Sequence, residues 1–248
     1  MEPEQVVKVL WTGGWDSTFR IISLAEKNVI IEPYYLSDNR ESEQNDLDAI
    51  AQITSDLISK DSTKCVIRPL KIIKSSQVEK DENITNSYQK ILQKMYIGSQ
   101  YDWLARFAKH NIGIELSIHK DDKACDVIKT LGSVKLVENN IGNYYILDPS
   151  KSSDEVVQVF GNFHFPLLDL SKLDMKKEID KLGYTEIMNK TWFCHSPINN
   201  EPCGLCNPCK YTIEEGMSFR LSPAGLRRYR YKFIYKKLRK LLKLTSVK

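Results

Sequence analysis

A run of β-branched residues stops against two glycines near the start of this sequence. Val6, Val7 and Val9 lead to Leu10, the chain passes Thr12-Gly13-Gly14, and Trp15-Asp16-Ser17-Thr18 opens a segment, Phe19 to Lys27, with apolar residues at helical spacing. Strand, glycine turn and helix start together predict an α/β unit whose helix N-terminus faces the space beyond the strand, a shape that binds phosphate. Gly13 and Gly14 permit backbone angles that a Cβ would forbid, and let amides approach an anion closely. The orphan N–H groups of the new helix point to the same place, and Asp16, Ser17 and Thr18 are all good N-cap types. On these residues alone two outcomes stand: a phosphate turn, or a tight strand-to-helix turn with no ligand.

The rest of the chain alternates in the same manner. Val29 to Leu36 reads as a buried strand, with Pro33 marking an edge or a bulge. Leu47, Ile50, Ile53, Leu57 and Ile58 mark an amphipathic helix, and Cys65 to Leu70 a third strand. Lys71 to Asn86 is polar and reads as a mobile loop over the site. Gly98-Ser99-Gln100 opens a helix carrying Trp103, Leu104, Phe107 and Ala108, and Ile112 to Ile118 reads as a short strand. His119 to Lys123 forms a charged loop, Val134 to Glu138 and Tyr144 to Leu147 a hairpin, and Val156 to Phe165 a further strand. Ser171 to Gly183 is a helix, capped by Ser171 or Asp174 and ended by Gly183. Alternating strands and helices imply a parallel sheet covered on both faces, with the ligand beyond the carboxyl ends of the strands.

A length of 248 residues, 42% hydrophobic and 27% charged, suits one α/β domain with an appended module. No apolar run approaches a membrane span, and the acidic start MEPEQ runs straight into a strand, so a cytoplasmic protein without a leader is expected. Of the six cysteines, Cys194, Cys203, Cys206 and Cys209 fall in one short stretch, while Cys65 and Cys125 stand alone. Two-residue gaps broken by Pro202, Gly204 and Pro208 are metal spacing rather than a disulfide framework. Four thiolates fill a tetrahedral Zn²⁺ and leave no open position, so the zinc is expected to be structural, with His195 a bystander.

Of 36 Lys and Arg residues, eleven lie in residues 220–248, which hold no Asp or Glu, so residues 1–219 carry 25 bases against all 32 acids. From Pro223 onward the sequence predicts one basic amphipathic helix. Tyr231, Ile234, Tyr235, Leu238, Leu241 and Leu242 share one face, and Arg228, Lys232, Lys236, Arg239 and Lys243 lie opposite. Four destinations compete for it: docking on the chain's own body or on a second copy, a partner protein, nucleic acid, and a membrane surface, in that order. The expectation is an apolar face packed at home and a basic face open to an acidic protein partner. A homodimer is also expected.

The stretch LWTGGWDST resembles the SGGxDS loop of the PP-loop ATP pyrophosphatases, with Thr12 keeping the hydroxyl of the usual serine. The Walker A pattern GxxxxGK[ST] does not occur. Two further blocks, FPLLDLSKLDMKKEIDKLGY and TWFCHSPINNEPCGLCNPC, bring the resemblance to the 7-cyano-7-deazaguanine synthases of queuosine biosynthesis. The first is similar to that family's PL-x-x-L-x-K segment, the second to its Thr-Trp-x-Cys and CG-x-C-x-x-C pattern. The resemblance runs through most of residues 6–210.

It implies a PP-loop, adenine nucleotide alpha hydrolase-like α/β fold of Rossmann type over residues 1–188. A four-cysteine zinc knuckle follows over 189–215, then the basic helix over 216–248. ATP would lie against Leu10, Trp11, Thr12, Gly13, Gly14, Trp15, Asp16, Ser17 and Thr18, with Leu36 either at the adenine or merely packed. Asp16, Ser17 and Lys172 would be catalytic, Asp16 as a Mg²⁺ ligand and Lys172 at a phosphate. Such enzymes adenylate the carboxylate of 7-carboxy-7-deazaguanine, form an amide with ammonia, and convert it to a nitrile with a second ATP. Departures fall where the base would sit. The family's Pro-x-Arg-Asn stretch is Gly98-Ser99-Gln100-Tyr101 here, and HKDDKACD lacks the family's tyrosine and arginine. Alternatives therefore stay open: an amide or nitrile product, an acyl-adenylate passed to an amine on another molecule or protein, or a nucleotide-binding scaffold without catalysis.

Overall fold

Strand β1 (Gln5–Leu10) is buried on both faces because its apolar residues serve two cores. Val7, Val9 and the following Trp11 belong to one apolar cluster and Leu10 to the other. The computed structural model describes residues 5–235. After β1 come α1 (Trp15–Ala25), β2 (Val29–Ser37), α2 (Glu43–Ile58), β3 (Val66–Ile67), β4 (Lys71–Lys74), α3 (Glu82–Lys94) and α4 (Gln100–Lys109). The order continues with β5 (Ile114–Glu115), α5 (Lys123–Leu131), β6 (Val134–Val137), β7 (Tyr144–Leu147), α6 (Asp154–Phe160) and β8 (Phe163–His164). The helices α7 (Lys172–Leu182), α8 (Thr185–Asn189), α9 (Asn207–Glu214) and α10 (Pro223–Arg230) complete it.

Strands β3, β2, β1, β5 and β8 lie in that order, with β4 also on β2, and every pairing among them is parallel. A separate antiparallel pair, β6 and β7, touches the sheet through the Tyr145–Phe165 bridge. The fold is mixed α/β with a mainly parallel central sheet, Rossmann-like, as the alternating pattern predicts. Helices α1, α2, α7 and α8 cover one face of the sheet, and α3 to α6 the other. The sheet is stitched by a buried ion pair: Arg20 on α1 donates from Nε and Nη2 to the Glu115 carboxylate of β5 at 2.7 and 2.6 Å. A two-pronged pair of this kind fixes geometry, and removing one partner strands a buried charge.

Pro33 sits at neither an edge nor a bulge. It lies opposite Val9 of β1. On its other side the neighbour of β2 changes from β3, which ends opposite Ile31, to β4, which begins opposite Tyr34, so the missing N–H meets a gap. The third strand is shorter than Cys65 to Leu70, only Val66–Ile67. Lys71 to Asn86 is not a loop but β4 and the start of α3, because Ile84, Tyr88 and Ile91 recur on one buried face and Asp81 caps Ile84 N–H at 3.1 Å. Val156 to Phe165 is mostly helix. Acidic Asp154 and Glu155 occupy the first turn of α6, and Val156, Val159 and Phe160 repeat at helical spacing, which overrides the β-preference of valine. The charged loop after β5 is short, and α5 starts at Lys123.

The C-terminal expectation holds only in part. Helix α10 stops at Arg230, Tyr231 is a turn, and residues 232–235 are helical again. Tyr231, Ile234 and Tyr235 are exposed, so the apolar face is not packed at home there. Arg228 is not offered to a partner: it donates to the carbonyls of Cys203 at 2.8 Å and Pro202 at 3.3 Å. Lys236, Leu238, Arg239, Leu241, Leu242 and Lys243 lie outside the described residues. No helix among the described residues is long and apolar enough to cross a membrane.

Candidate active site

The turn after β1 is held by its own short side chains. Ser17 Oγ lies 3.2 Å from both Thr12 N and Thr12 Oγ1, and it donates to the Gly14 carbonyl at 3.4 Å. Trp11 Nε1–H donates to Thr18 Oγ1 at 2.9 Å beneath the turn. Gly13 has φ +70°, and a Cβ there would lie 2.7 Å from the Asp46 carbonyl oxygen, so glycine is required on two counts. Gly14 caps α1 from an extended conformation, without a side-chain cap for the first-turn amides. Those donors are left for a ligand or solvent.

Two connected hollows open at this turn. One, of about 490 Å³, has an apolar wall of Leu10, Tyr34, Leu36, Trp103, Leu104 and Leu116 at the carboxyl ends of β1, β2 and β5. The other, of about 320 Å³, is polar and reaches under the cysteine-bearing segment, with Trp15, His119, Lys172, Trp192, Phe193, Glu215 and Arg220 in its wall. Thr12, Gly14, Asp16, Arg40, Gln100, Asp122 and His195 border both. Strand order changes direction at β1, with β2 on one side and β5 on the other, which is where open parallel sheets form a crevice.

The predicted residues divide cleanly. Leu10, Thr12, Gly14, Trp15, Asp16, Ser17, Leu36 and Lys172 line one or both hollows. Trp11, Gly13 and Thr18 are buried and line neither; they shape the turn from behind. Lys172 follows the cap Ser171, whose side chain and that of Asp174 bond reciprocally to each other's backbone N–H. A lysine at the first position of a helix sits at the wrong end of the helix dipole. Here it is compensated from outside, by Glu215 at 2.7 Å and Asp16 at 3.8 Å. Burial alone would lower the Lys172 pKa, but Asp16 and Glu215 outweigh burial and hold it above the usual lysine range. Burial lifts Asp122 above the usual carboxylate range against the opposing pull of His119, and lifts Asp46 to about 6 against that of Arg40. Asp16 Oδ1, Trp15 Nε1 and Ser117 Oγ are buried without a protein partner, and all three residues line the hollows.

The four cysteine sulfurs lie within 4.8 Å of one another. Cys203 to Cys209 and Cys194 to Cys206 are each 3.9 Å apart, close to the edge of a tetrahedron with Zn–S bonds of about 2.3 Å and far too long for disulfides. Backbone N–H groups of Leu205 and Cys206 donate to Cys203 Sγ at 3.2 and 3.3 Å, and that of Cys203 to Cys194 Sγ at 3.2 Å. Such bonds favour thiolates, so the donor set fits Zn²⁺. Gly204 has φ +73°, and a Cβ there would fall 2.0 Å from the Gly225 carbonyl oxygen, which is how α10 closes over the knuckle. The knuckle also braces the Gly13–Ser17 turn. Trp192 N–H donates to the Gly13 carbonyl at 2.9 Å, and Trp192 Nε1–H to the Cys194 carbonyl at 2.8 Å.

Sequence reasoning missed Arg220, Trp192, Glu215, Arg40 and Asp122 as wall residues. Arg220 was counted with the basic tail, and the sequence offers no periodic signal that separates it. Residues 151–216 match the family model described as queuosine biosynthesis protein QueC. The match spans α6 to α9 and contains Lys172 and all four cysteines, while the Gly13–Ser17 turn lies outside it. No curated protein matches the chain. From residue 151 to residue 216, through the helix that carries Lys172 and the whole cysteine knuckle, the chain is QueC-like.

Proposed function

We propose that the chain binds ATP across the Gly13–Ser17 turn and uses it to activate a carboxylic acid, with release of pyrophosphate and then AMP. The acid would be a carboxylated 7-deazaguanine or a similar compound, and the product an amide or nitrile in a queuosine-like pathway step. A carboxylate oxygen is a poor leaving group, whereas the same oxygen carried by AMP leaves readily. The observation that carries the reading is the junction: Gly14 and Asp16 border both the apolar and the polar hollow. Adenine would occupy the apolar hollow beside Leu10 and Leu36, and the acid the polar one. The uncapped amides of α1 and the Lys172 ammonium would stabilise charge on the departing pyrophosphate. Ser17 would hold the turn in shape through Thr12 and Gly14. The unpartnered Asp16 oxygen suits a hard cation, and Mg²⁺ bound there would neutralise phosphate charge.

The zinc would be structural, with the chain divided as residues 1–188, 189–215 and 216–248. Leu221 and Leu226 pack beside the cysteines across the second boundary. The free thiols of Cys65 and Cys125 support a reducing, cytoplasmic setting. The test is incubation with ATP and 7-carboxy-7-deazaguanine, with and without ammonia, followed by mass spectrometry. AMP with an amide or nitrile is expected, an adduct on an added amine would reveal a conjugating ligase, and absence of AMP throughout would sink the reading.

A further inference from the structure

Arg220 stands apart from the other cations of the site. Lys172 has carboxylates at 2.7 and 3.8 Å, and Arg40 is paired with Asp38 at 2.8 Å. Arg220 has only one prong committed: its Nη2 donates to the Thr191 carbonyl at 2.7 Å and the Thr191 hydroxyl at 2.5 Å. Its guanidinium lies over two rings, Trp15 with 4.9 Å to the centroid and Phe193 with 4.6 Å. Burial pulls its pKa down to about 10, opposed by Asp16. A guanidinium has five N–H donors in a fixed fork, and two bonds to one threonine leave most of them unspent. The second unspent donor in the same wall is the Trp15 indole N–H, buried without an acceptor. Two donors left over in one polar hollow, one of them a cation within 5 Å of two aromatic ring centres, describe a place prepared for an acceptor that carries negative charge.

We propose that Arg220, with the Trp15 indole N–H beside it, is the oxyanion-binding residue of the polar hollow. The oxyanion is either a phosphate group of ATP or the carboxylate of the acid; that this hollow serves such a reaction rests on the function proposed above. A merely structural Arg220 would tie the short 3-10 turn Ser218–Arg220 to Thr191 and nothing more. The two aromatic neighbours and the spare fork are what that role does not use.

The experiment compares the full zinc-loaded chain with Arg220→Met and Arg220→Lys. Methionine keeps an apolar stem beside the rings, and lysine keeps the charge without the fork. Each protein is titrated calorimetrically with inorganic pyrophosphate and, separately, with 7-carboxy-7-deazaguanine, with zinc content and melting temperature measured alongside. Arg220→Met is expected to weaken one probe by about ten-fold or more, with Arg220→Lys recovering part of the loss. Loss in the pyrophosphate arm assigns the ATP source, and loss in the other arm assigns the acid. Unchanged affinity for both probes in a folded, zinc-loaded Arg220→Met protein overturns the proposal. Should that variant not fold, phenylglyoxal labelling of wild-type Arg220 decides: slowing by either probe supports the proposal, and slowing by neither overturns it. Because both arms read binding, they stay informative even where the wild type makes no AMP, the outcome that would sink the function itself.

Discussion

Between Trp11 and Thr18 the side-chain contacts join residues at most seven positions apart: Trp11 to Thr18, Thr12 to Ser17, Ser17 to Gly14. Between Cys194 and Arg228 the chain is held by four sulfurs brought together from Cys194, Cys203, Cys206 and Cys209, by Arg228 reaching back to Cys203, and by a glycine pressed against another glycine's carbonyl. The two regions wall the same cavity, yet one is a turn held largely by its own side chains and the other a small lobe whose core is little more than Cys194, Cys203, Cys209 and Leu221 with a ring of half-buried neighbours. A core of that size cannot repay chain entropy by burial alone, so the lobe would depend on a metal held by its four cysteines more directly than the turn would.

The largest expected effect breaks the lobe and spares the turn. Cys206→Ser should lose the metal and lower the melting temperature, since structural zinc contributes on the order of 10 kcal/mol in small modules. Metal analysis finding one zinc per chain with unchanged melting would remove the site. The converse substitution, Asp16→Ala, should cut AMP formation about 10³-fold, roughly 4 kcal/mol of barrier, while melting and zinc content stay put. AMP release at the wild-type rate would show the turn to be structural only. Gly13→Ala adds left-handed strain to a 2.7 Å approach on the Asp46 carbonyl, and should cost about 3 kcal/mol in denaturant melts. Gly183→Ala is its control, because Gly183 has φ +75° but open space where the Cβ would go, so about 1 kcal/mol is expected. Equal losses at the two glycines would mean that α2 yields to the turn.

A pH-dependent effect concerns charge at the border of the two regions. Burial first, with Arg40 opposing, raises Asp46 from 3.8 to about 6. The native state then binds the extra proton between those values, so this carboxyl withdraws stability as pH rises through the window. Asp46→Asn keeps an acceptor for Tyr35 Oη–H and carries no charge. Relative to wild type it should gain about 2–3 kcal/mol between pH 4 and pH 7, measured as the difference between unfolding free energies. A difference that stays flat across that range would place the Asp46 pKa near its ordinary value.

The contrast also explains what could be read before folding. Local devices were legible: Gly13-Gly14, the Ser171 to Gly183 helix with its cap and its left-handed end, and the cysteine spacing each state their geometry within a few residues. Lys172 was reachable only through its motif, because nothing local requires a lysine at that helix position. Arg220 was not legible, since charge counting merges it with the ten other bases that follow, and only the fold brings Trp15 and Phe193 beside it. Arg228 was misassigned for the same reason: helical periodicity names a face but not what lies against it. Segment α6 was misread because valines at 156, 157 and 159 satisfy a strand pattern and a helix pattern at once, and the acidic first turn decides between them.

The bond from Trp192 N–H to the Gly13 carbonyl sets an order of events as the protein is made. Residue 13 leaves the ribosome early, whereas its brace is 179 residues further along the sequence. At about 5–20 residues per second, a growing chain carries an unbraced turn for roughly 10–40 s. Through the first part of that time β1 has β2 beside it but waits for β5, and for all of it the wall residues Trp192, Phe193, Glu215 and Arg220 have not been made. On the function proposed above, a nucleotide meeting the nascent chain would find glycine amides without the opposing surface, and the site would come into being only at the end of synthesis, once all four cysteines are present.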